Sequence, residues 1–476
     1  MVAAGIQKLC FSFCPYFQFD YLCRLNNQEK MRLYRIIVLA FAVVLASQHA
    51  QAEVTFGGNS KAVYSETPES STGLDCVYVL YSADGVSMSY TATTSSTVTW
   101  YSFGSSGGGY AQEMSGIETS GNVSTLSQVV ADCGYIIEEG TDRTYLWVAD
   151  YSECYLSLVD ITIDSELDCG TVTLYVSGEG DDIVYYTING AKKVIDRELT
   201  LEYSNLEWND ESLEWEQVTV ETTYESFEST ISLDAPYCNT TFRLSGDKLL
   251  NYWGTQDIVE SETYYTSAIG VETTASQEER ENLNEVSDSD SDLGGSAPVV
   301  ITFTAYCTDA VNHKEWQISE DSEFEDLLYR YNDDEITHTF NDAGTFYVKL
   351  VATDASGECS SEGETYEVTV GESSLLCPNV FSPTSSEGVN DEWRVSYKSI
   401  VEFNCWIFNK WGVQICQLTD PSQGWDGKYK GKYVKSGTYY YVIKARGSDG
   451  IKYDLSGDIN IIGIKESSTS SSSTSE

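Results

Sequence analysis

The sequence predicts an all-β protein built from several β-sandwiches in tandem. Its 34 tyrosines, with only 7 prolines and 4 methionines, favour strands over helices. A hydrophobic content of 41% is that of a globular protein. Because 476 residues exceed what one compact core accommodates, three or four domains of ordinary size are expected.

The beginning of the chain is predicted to be an export signal. Basic residues precede an apolar run from Ile36 to Ala46, and small residues then offer a cleavage point before Glu53. This order is typical of a secretory signal peptide over 31–52. A buried core helix is the alternative, but the run is too short to cross a bilayer, and no transmembrane span is predicted in the mature chain. Residues 1–30 are interpreted as a spurious extension before a start at Met31.

The chain is strongly acidic, with 27 basic and 74 acidic residues and a formal net charge of −47. Residues 53–476 alone have 22 basic and 72 acidic residues. Nucleic acid and anionic membranes are therefore not expected as partners, because both require basic patches. Solubility outside the cell is the simpler explanation of the acidic residues, and cation binding by them as a group is the alternative.

The first predicted unit, residues 53–165, has the pattern of an immunoglobulin-like sandwich. Cys76 opens an apolar strand, Trp100 follows a Ser/Thr-rich alternating stretch, and Cys133 precedes another apolar strand. This Cys…Trp…Cys order is typical of that fold. A second β-sandwich is predicted over 166–275.

Within the second predicted unit a strand starts near Cys169, and Trp208 and Trp215 flank a hairpin turn. Residues 276–297 then change in composition to a Ser-Asp repeat followed by Gly-Gly-Ser, which predicts a flexible acidic Gly/Ser linker. The alternating aspartates start like an EF-hand loop. However, Leu293 and Val299 stand where that loop requires Gly and Glu, so no calcium loop is predicted.

The third unit, residues 298–371, resembles a PKD (polycystic kidney disease) domain. The resemblance depends on Trp316 in an early strand and on the turn and strand from His338 to Leu350. The Gly-Asp-Gly of that family is replaced by Glu320-Asp321-Ser322. A calcium cofactor is therefore unsupported by a motif, and no cofactor or metal site is predicted.

Ten cysteines follow residue 52, an even number in an oxidising compartment. None forms a C-x-x-C pair, so zinc ribbons and thioredoxin-type sites are not supported. The disulfide predicted first is Cys307–Cys359, because one cysteine lies in the first strand of the third unit and the other follows its long strand. The other candidate pairs are Cys169–Cys238 and Cys76–Cys133.

The fourth unit, residues 377–465, has five short motifs in one order. Their sequences are PNVFSP, GVNDEW, IFNKWG, GWDG and SGTYYY. Together they resemble the gliding motility-associated C-terminal domain, the type B sorting domain of the Bacteroidetes type IX secretion system. Two departures are a turn at 384–388 that is one residue longer than the family's Asn-Gly-Asp-Gly, and Lys410 in place of Arg.

The resemblance implies that the motif residues build a domain recognised by the outer-membrane type IX translocon and its sortase machinery. It also implies a protein secreted by, or held on the surface of, a Gram-negative Bacteroidetes bacterium. The residues assigned to this sorting motif are Pro378, Asn379, Phe381, Pro383, Asn390, Asp391, Phe408, Asn409, Trp411, Gly412, Gly424, Trp425, Asp426, Gly427, Gly437 and Tyr439.

From its residues alone the fourth unit is predicted to be a small antiparallel sandwich. Either Tyr439 with Tyr441 or Tyr440 with Ile443 is expected to pack inward, and an exposed ligand platform is the alternative. Export is expected to depend on the fold of 377–465 and not on upstream domains. Residues 466–476 are polar and low in complexity, and a disordered tail is predicted.

No catalytic residue is predicted. Gly104-Ser105-Ser106-Gly107-Gly108 fits G-x-S-x-G, but no helix signal follows it, and the histidines after residue 52, His313 and His338, are distant in sequence. A flexible loop is the simpler interpretation. A pair of glycosidase carboxylates cannot be selected among so many acids.

Two functions are therefore considered. The first is a non-enzymatic adhesin or surface-matrix component, and the alternative is a carbohydrate-binding or glycan-degrading surface protein. The extracellular ligand would be a glycan or a protein. An open aromatic face formed by Trp208, Trp215, Trp253 or Tyr264 would favour the alternative, and burial of these rings would favour the adhesin.

Overall fold

The computed structural model describes residues 53–58, 61–165, 168–286, 293–384 and 388–463. The predicted extension and signal peptide, the Ser-Asp repeat of the predicted linker, part of the long turn at 384–388 and the predicted tail lie outside these residues. No helix in the described part is long and apolar enough to cross a membrane.

The regular secondary structure of the described chain is almost entirely strand, which confirms the all-β prediction. The strands up to residue 163 are β1 (Glu53–Gly57), β2 (Tyr64–Glu66), β3 (Cys76–Leu80), β4 (Ser87–Thr91), β5 (Val98–Phe103), β6 (Gln112–Glu113), β7 (Glu118–Ser120), β8 (Val123–Leu126), β9 (Cys133–Glu139), β10 (Asp142–Asp150) and β11 (Ser157–Ile163). Those up to residue 277 are β12 (Thr171–Glu179), β13 (Ile183–Tyr186), β14 (Lys192–Ile195), β15 (Leu199–Asn209), β16 (Glu214–Tyr224), β17 (Thr230–Asp234), β18 (Arg243–Gly246), β19 (Asp257–Glu260) and β20 (Val271–Gln277).

The second half of the chain continues in the same way. Its first strands are β21 (Gly294–Gly295), β22 (Val299–Cys307), β23 (His313–Ser319), β24 (Leu327–Tyr331), β25 (Glu335–Phe340), β26 (Gly344–Thr353), β27 (Ser360–Glu362), β28 (Tyr366–Val370) and β29 (Ser374–Leu376). Its last strands are β30 (Val380–Phe381), β31 (Ser396–Lys398), β32 (Ile400–Phe408), β33 (Gln414–Leu418), β34 (Lys428–Tyr429), β35 (Lys432–Tyr433), β36 (Gly437–Gly447) and β37 (Lys452–Ile461). Among the described residues, the helical elements are α1 (Lys248–Tyr252) and the 3₁₀ turns Ser70–Thr72, Gly108–Tyr110 and Tyr151–Cys154.

The strands form two compact units. Of the described residues, the first contains those up to Leu156 together with Gly180–Arg197 and Lys248–Thr255, and the second contains the others. In the first unit, one sheet has the order β1-β4-β8-β7 and the other β2-β3-β10-β9-β5-β6. Trp100 is buried between them, and its indole N–H donates to Ser124 Oγ at 3.0 Å.

The predicted Cys76–Cys133 disulfide is wrong, and both thiols are free. Strand β10 lies between β3 and β9 in one sheet, with Cys76 opposite Leu146 and Cys133 opposite Val148. The two cysteines therefore stand on opposite sides of a shared neighbour. An immunoglobulin-type disulfide instead joins two facing sheets.

Two segments that the sequence placed in the second sandwich belong to this first unit. The turn of the hairpin β13–β14 is hydrogen-bonded to the first unit, since Ile188 N–H donates to Thr72 O at 3.1 Å. After α1, Trp253 is buried, and its indole N–H donates to Ala62 O at 2.6 Å. Its ring contacts Tyr151 with 5.0 Å between centroids. These contacts join residues distant in sequence, so composition along the chain did not reveal them.

A buried carboxylate closes the loop after β4. Glu139 is 7% exposed and accepts hydrogen bonds from Tyr90 Oη at 3.0 Å, from Thr93 and from both the N–H and the hydroxyl of Thr94 at 2.6 Å. The hydrogen bond from the Thr94 hydroxyl is the largest effect and lowers the pKa of Glu139 to about 2, against the opposing effect of burial. The ionised form therefore stabilises the first sandwich.

We expect Glu139→Gln to destabilise the first unit by about 2 kcal/mol, because it removes hydrogen bonds to a charged acceptor. The folded pKa lies below the unfolded one, so this stabilisation is present above about pH 4.5 and is lost as the pH falls towards 2. Thermal unfolding of the wild type and of Glu139→Gln between about pH 2 and pH 7 measures this loss of stability. Glu118→Gln, at an exposed position of β7, is the control. Parallel pH profiles for wild type and Glu139→Gln would contradict the assignment.

In the second unit, the second sandwich packs a three-stranded sheet, β11-β12-β17, against β16-β15-β18-β19. Strand β11 pairs with β12 from Ser157 to Ile163, so the sandwich starts before the predicted boundary at residue 166. The two longest paired strands, β15 and β16, form a hairpin in which Trp208 lies opposite Trp215. The hairpin predicted around these tryptophans is present.

The third sandwich has the sheets β20-β22-β25 and β21-β28-β26-β23-β24, with β27 on β26. Trp316, Phe303 and Leu350 are fully buried in its core. Strand β20 pairs with β22 from Val271 to Gln277, although the sequence assigned these residues to the second unit and the linker. Burial lowers the pKa of His338, whose ring packs on Phe340 at 4.6 Å.

The fourth sandwich is built on the sheet β30-β37-β36-β32-β33, with the short pairs β29–β31 and β34–β35. Tyr439 and Tyr441 pack against its core and Ile443 is buried, whereas Tyr440 is 47% exposed. Of the two predicted arrangements, the inward pair is Tyr439 with Tyr441.

One disulfide lies among the described cysteines, between Cys169 and Cys359, with 5.4 Å between their Cα atoms. The predicted pairs Cys307–Cys359 and Cys169–Cys238 are therefore wrong, and Cys307 and Cys238 are free. The bond joins the second sandwich to the third across 190 residues. Pairing by position within one domain missed it, because the second and third sandwiches bring these cysteines together.

Candidate functional site

The candidate site is the fourth sandwich, where residues of the five motifs pack in one core that contains the buried Trp393 and Trp425. Trp425 is 2% exposed, and its ring lies 5.5 Å from that of Phe381 and 5.4 Å from that of Tyr439. Its indole N–H donates to Lys428 O at 3.0 Å. The backbones of Trp425 and Trp393 pair with each other, at 2.9 and 3.0 Å. Motifs far apart in sequence therefore share one core.

The first motif ties the start of the domain to its last strand. Trp393 donates its indole N–H to Pro378 O at 2.6 Å. Asn460 N–H donates to Asn379 O at 2.9 Å, and β30 runs parallel to β37 with Phe381 opposite Ile461. Removing either end of the domain would therefore open the sheet.

Other motif residues shape turns. Asn409 Oδ1 accepts the N–H groups of Trp411 and Val413, each at 3.0 Å, between β32 and β33. Positive φ values occur at Asn390, Gly412, Gly427 and Gly437. Gly437 has φ +147° and starts β36, where a β-branched side chain would be strained although the space is open.

The remaining motif residues are polar or lie at close approaches. Gly388 N–H donates to Asp391 Oδ2 at 2.5 Å, and Asp426 Oδ2 accepts from Lys428 Nζ at 2.7 Å. A Cβ on Gly424 would collide with the side chains of Glu392 and Arg394. Pro383 packs beside Gly427, and Phe408 is half-buried in β32. These residues hold the fold of the domain.

One tryptophan of the motifs lies largely in solvent. Trp411 is 76% exposed at the tip of the β32–β33 hairpin, and Lys410 Nζ lies 4.6 Å from its ring centroid. An exposed tryptophan contributes little to the core, so Trp411 differs physically from Trp425.

The third and fourth sandwiches are joined by buried serines. Ser399 is fully buried; its N–H donates to Ser296 Oγ at 2.8 Å, and its hydroxyl accepts from Ala297 N–H at 3.1 Å. Its carbonyl accepts from Ser448 N–H at 3.0 Å, and the Ser448 hydroxyl donates to Gly371 O at 2.9 Å. Three of these four hydrogen bonds cross from one sandwich to the other, and each is expected to contribute about 1 kcal/mol to holding them together.

The predicted flexible linker also contacts the fourth sandwich. Asn284 Nδ2 donates to Val395 O at 2.7 Å and to Pro421 O at 2.8 Å. Val286 N–H donates to Tyr397 O at 2.8 Å, and Tyr397 N–H donates to Asn284 O at 3.0 Å. The linker prediction is therefore wrong for residues 278–286. Composition gave no signal for these contacts, because they depend on single polar side chains.

The G-x-S-x-G segment has a structural explanation. Gly107 has φ +85°, and a Cβ there would lie 2.6 Å from both Gly190 N and Ile188 O. Gly108 N–H donates to Ile188 O at 2.8 Å. The glycines allow the β13–β14 turn to approach, and only a single 3₁₀ turn follows, without the helix of a nucleophile elbow.

We expect Gly107→Val to destabilise the first unit by at least about 2 kcal/mol, because its backbone conformation alone costs a residue other than glycine about 1–3 kcal/mol and the collision adds to it. Gly109→Ala is the matched control, since a Cβ at Gly109 meets nothing within 4 Å. Urea unfolding compares them. Equal stability of the two variants would show that the turn does not approach this loop.

The four aromatic residues proposed as a sugar platform do not form an open face. Trp208 and Trp215 are half-buried, with the Trp208 ring 5.1 Å from Tyr306, and Trp215 Nε1–H donates to Tyr306 O at 3.1 Å. Tyr264 is half-buried and Trp253 is buried.

A groove of about 540 Å³ lies beside Tyr264 in the second sandwich. Tyr265, which is 75% exposed, and the carboxylates of Asp160, Asp164 and Glu262 line it.

In the third sandwich, the Asp321 carboxylate closes its own turn by accepting two backbone N–H groups. No group of three acidic, histidine or cysteine side chains in the described residues is arranged to hold a metal ion.

Two family models match parts of the chain. Residues 375–459 match the CHU_C type IX secretion signal domain. Residues 162–261 match the fibronectin type III domain, which covers most of the second sandwich and which the sequence motifs had not identified. The first match confirms the predicted sorting domain and implies export by the type IX secretion system. It places the protein outside the cell or on the surface of a Bacteroidetes cell.

Solved structures with similarity to the chain include a tetra-tandem repeat in the extending region of a large adhesion protein. That alignment has 13% identity and a TM-score of 0.22 and covers 80% of this chain and 96% of the other. Another is the CD2-binding domain of CD58, with 13% identity, a TM-score of 0.19 and coverage of 38% and 92%. Latent PorU from Porphyromonas gingivalis aligns with 10% identity, a TM-score of 0.16 and coverage of 67% and 35%. No curated protein matches the sequence.

Proposed function

We propose that this protein is a non-enzymatic adhesin or surface-matrix component. Its C-terminal domain directs its export, after which the protein is either held on the cell surface or released from the cell. The observation that carries the export part is the single core built by the five motifs within residues matched to the type IX secretion signal domain. The partners in export are the outer-membrane translocon and its sortase machinery.

The support for binding rather than catalysis is local and physical. The one segment with a nucleophile motif is occupied by a packed turn around Gly107, and the aromatic rings of Trp208 and Trp215 are engaged in domain packing. Tandem sandwiches joined by a disulfide and buried hydrogen bonds provide a stable scaffold that presents loops for recognition.

The alternative, a carbohydrate-binding or glycan-degrading surface protein, has one observation in its favour. The groove beside Tyr264 combines an exposed tyrosine ring with carboxylates, groups that stack on and hydrogen-bond to sugars. A glycan array and a hydrolase screen on the chain from Glu53 onwards test it. Glycan binding that is lost in Tyr265→Ala, or turnover of a glycan, would favour this alternative over the adhesin proposal. Adhesion to host protein or matrix, without glycan binding or turnover, would support the adhesin proposal.

Export is tested by fusing C-terminal segments to a periplasmic reporter in a host with the type IX system. A fusion of 271–476 retains Asn284 and the third-sandwich partners of Ser399, whereas 377–476 does not. We expect surface exposure, measured by protease shaving, to be greater for the longer fusion. Retention of both reporters in the periplasm would refute the export function.

A further inference from the structure

Charge is distributed unevenly along this chain. Residues 377–463 contain ten lysines and arginines against nine aspartates and glutamates, whereas the whole chain has 27 against 74. The fourth sandwich is therefore nearly neutral, on a protein that is otherwise strongly acidic. Four of its ten basic groups lie on one element.

That element is the lysine hairpin, residues 428–435, formed by β34 and β35. Lys428 lies opposite Tyr433 with its Nζ 5.0 Å from the ring, and Lys430 lies 5.2 Å from the ring of Tyr429. Lys428 is paired with Asp426. The exposed lysines at 430, 432 and 435 form no ion pair with any residue that the structure describes.

The opposite situation occurs at the tip of the β15–β16 hairpin, the acidic hairpin, residues 207–216. Five acidic side chains are exposed there, and none has a basic partner among the described residues. They are Glu207, Asp210, Glu211, Glu214 and Glu216. The register places Glu207 directly opposite Glu216. Like charges opposed across a ladder are destabilising, so a cationic partner would relieve this repulsion.

We propose that the lysine hairpin of one copy binds the acidic hairpin of another copy. The two surfaces are complementary in charge, the acids of one and the lysines at 430, 432 and 435 of the other have no ion-pair partner among the described residues, and both are hairpin tips. Because they are different surfaces, the contact is heterologous and extends from copy to copy unless it closes into a ring. The proposal does not depend on the adhesin function or on the route of export.

Repulsion between two acidic chains does not prevent this contact. At physiological ionic strength the Debye length is about 8 Å, so charges farther apart are largely screened. Ion pairs at contact distance persist, and the tyrosines beside the lysines add apolar area that is removed from water. Association is therefore expected at moderate salt and is expected to weaken at high salt.

Sedimentation velocity of the chain from Glu53 onwards, over a range of concentrations, measures association at about 0.1 M and about 1 M ionic strength, where the Debye length falls from about 10 Å to about 3 Å. We expect concentration-dependent species larger than a monomer at the lower salt and fewer at the higher. The variant K430E/K432E/K435E should raise the dissociation constant of self-association about tenfold or more.

A charge swap makes the test specific to these two surfaces. K430E/K432E/K435E and E207K/E211K/E214K should each fail to self-associate, and an equimolar mixture should associate again, since mixing restores opposite charges on both hairpins. K410E/K444E/K452E changes the charge of the same domain equally at other exposed lysines and should associate like the wild type. Thermal unfolding confirms that every variant is folded.

Several results would overturn the proposal. They are a wild type that is monomeric at both salt concentrations, a control variant as impaired as the hairpin variant, or a mixture that fails to associate. Binding of the wild type to vesicles of phosphatidylglycerol, without self-association, would also overturn it and assign the lysine hairpin to an anionic membrane surface.

Discussion

Cys169→Ser is expected to destabilise the second and third sandwiches by about 5 kcal/mol. The disulfide to Cys359 closes a loop of 190 residues, and in the chain-entropy model a loop of this size restricts the unfolded chain by about that amount. Guanidinium unfolding of the oxidised proteins, followed by tryptophan fluorescence, compares the variant with the wild type. Cys359→Ser should lose the same stability, because it breaks the same bond.

Cys307→Ser is the matched control for this prediction. Cys307 is half-buried and free, and its replacement by serine removes no covalent bond. Peptide mapping without reduction provides an independent measurement and should recover a peptide linking Cys169 to Cys359. A Cys307–Cys359 peptide, or an equal loss of stability in Cys307→Ser, would show that the third sandwich is closed internally instead.

The contrast between these two pairings shows where sequence reasoning ends. Strands and hairpin turns were predictable because they depend on residues close in sequence, such as Gly412 beside Trp411 or the alternation around Tyr439. The partner of Cys359 depends on how two sandwiches face each other, and no local pattern contains that information. Cysteine number alone leaves the connectivity open.

The boundaries failed for the same physical reason. Trp253 was assigned to the second sandwich by position, yet its indole N–H finds a carbonyl 191 residues earlier, at Ala62. Residues 278–286 have a polar composition that is typical of linkers, but Asn284 satisfies two carbonyls of the fourth sandwich. Hydrogen bonds between distant segments decide both cases, and composition does not report them.

Trp425→Ala is expected to destabilise the fourth sandwich by about 4 kcal/mol and to abolish export. The side chain is 2% exposed, and truncation leaves a cavity beside Phe381 and Tyr439. It also leaves Lys428 O without the indole donor. A domain with this deficit is unfolded for a larger fraction of the time, so it is exposed to periplasmic proteases before it can be exported.

Trp411→Ala separates the fold of this domain from its surface, because the same residue type is removed from a site that is 76% exposed. Its effect on unfolding should stay within about 0.5 kcal/mol. If the machinery reads the folded domain as a whole, protease shaving should find wild-type amounts of Trp411→Ala on the surface and almost none of Trp425→Ala. Normal unfolding of Trp411→Ala combined with its retention in the periplasm would contradict this expectation and would locate a recognition contact at the β32–β33 tip. Normal export of Trp425→Ala would show that export does not require the core built by the five motifs.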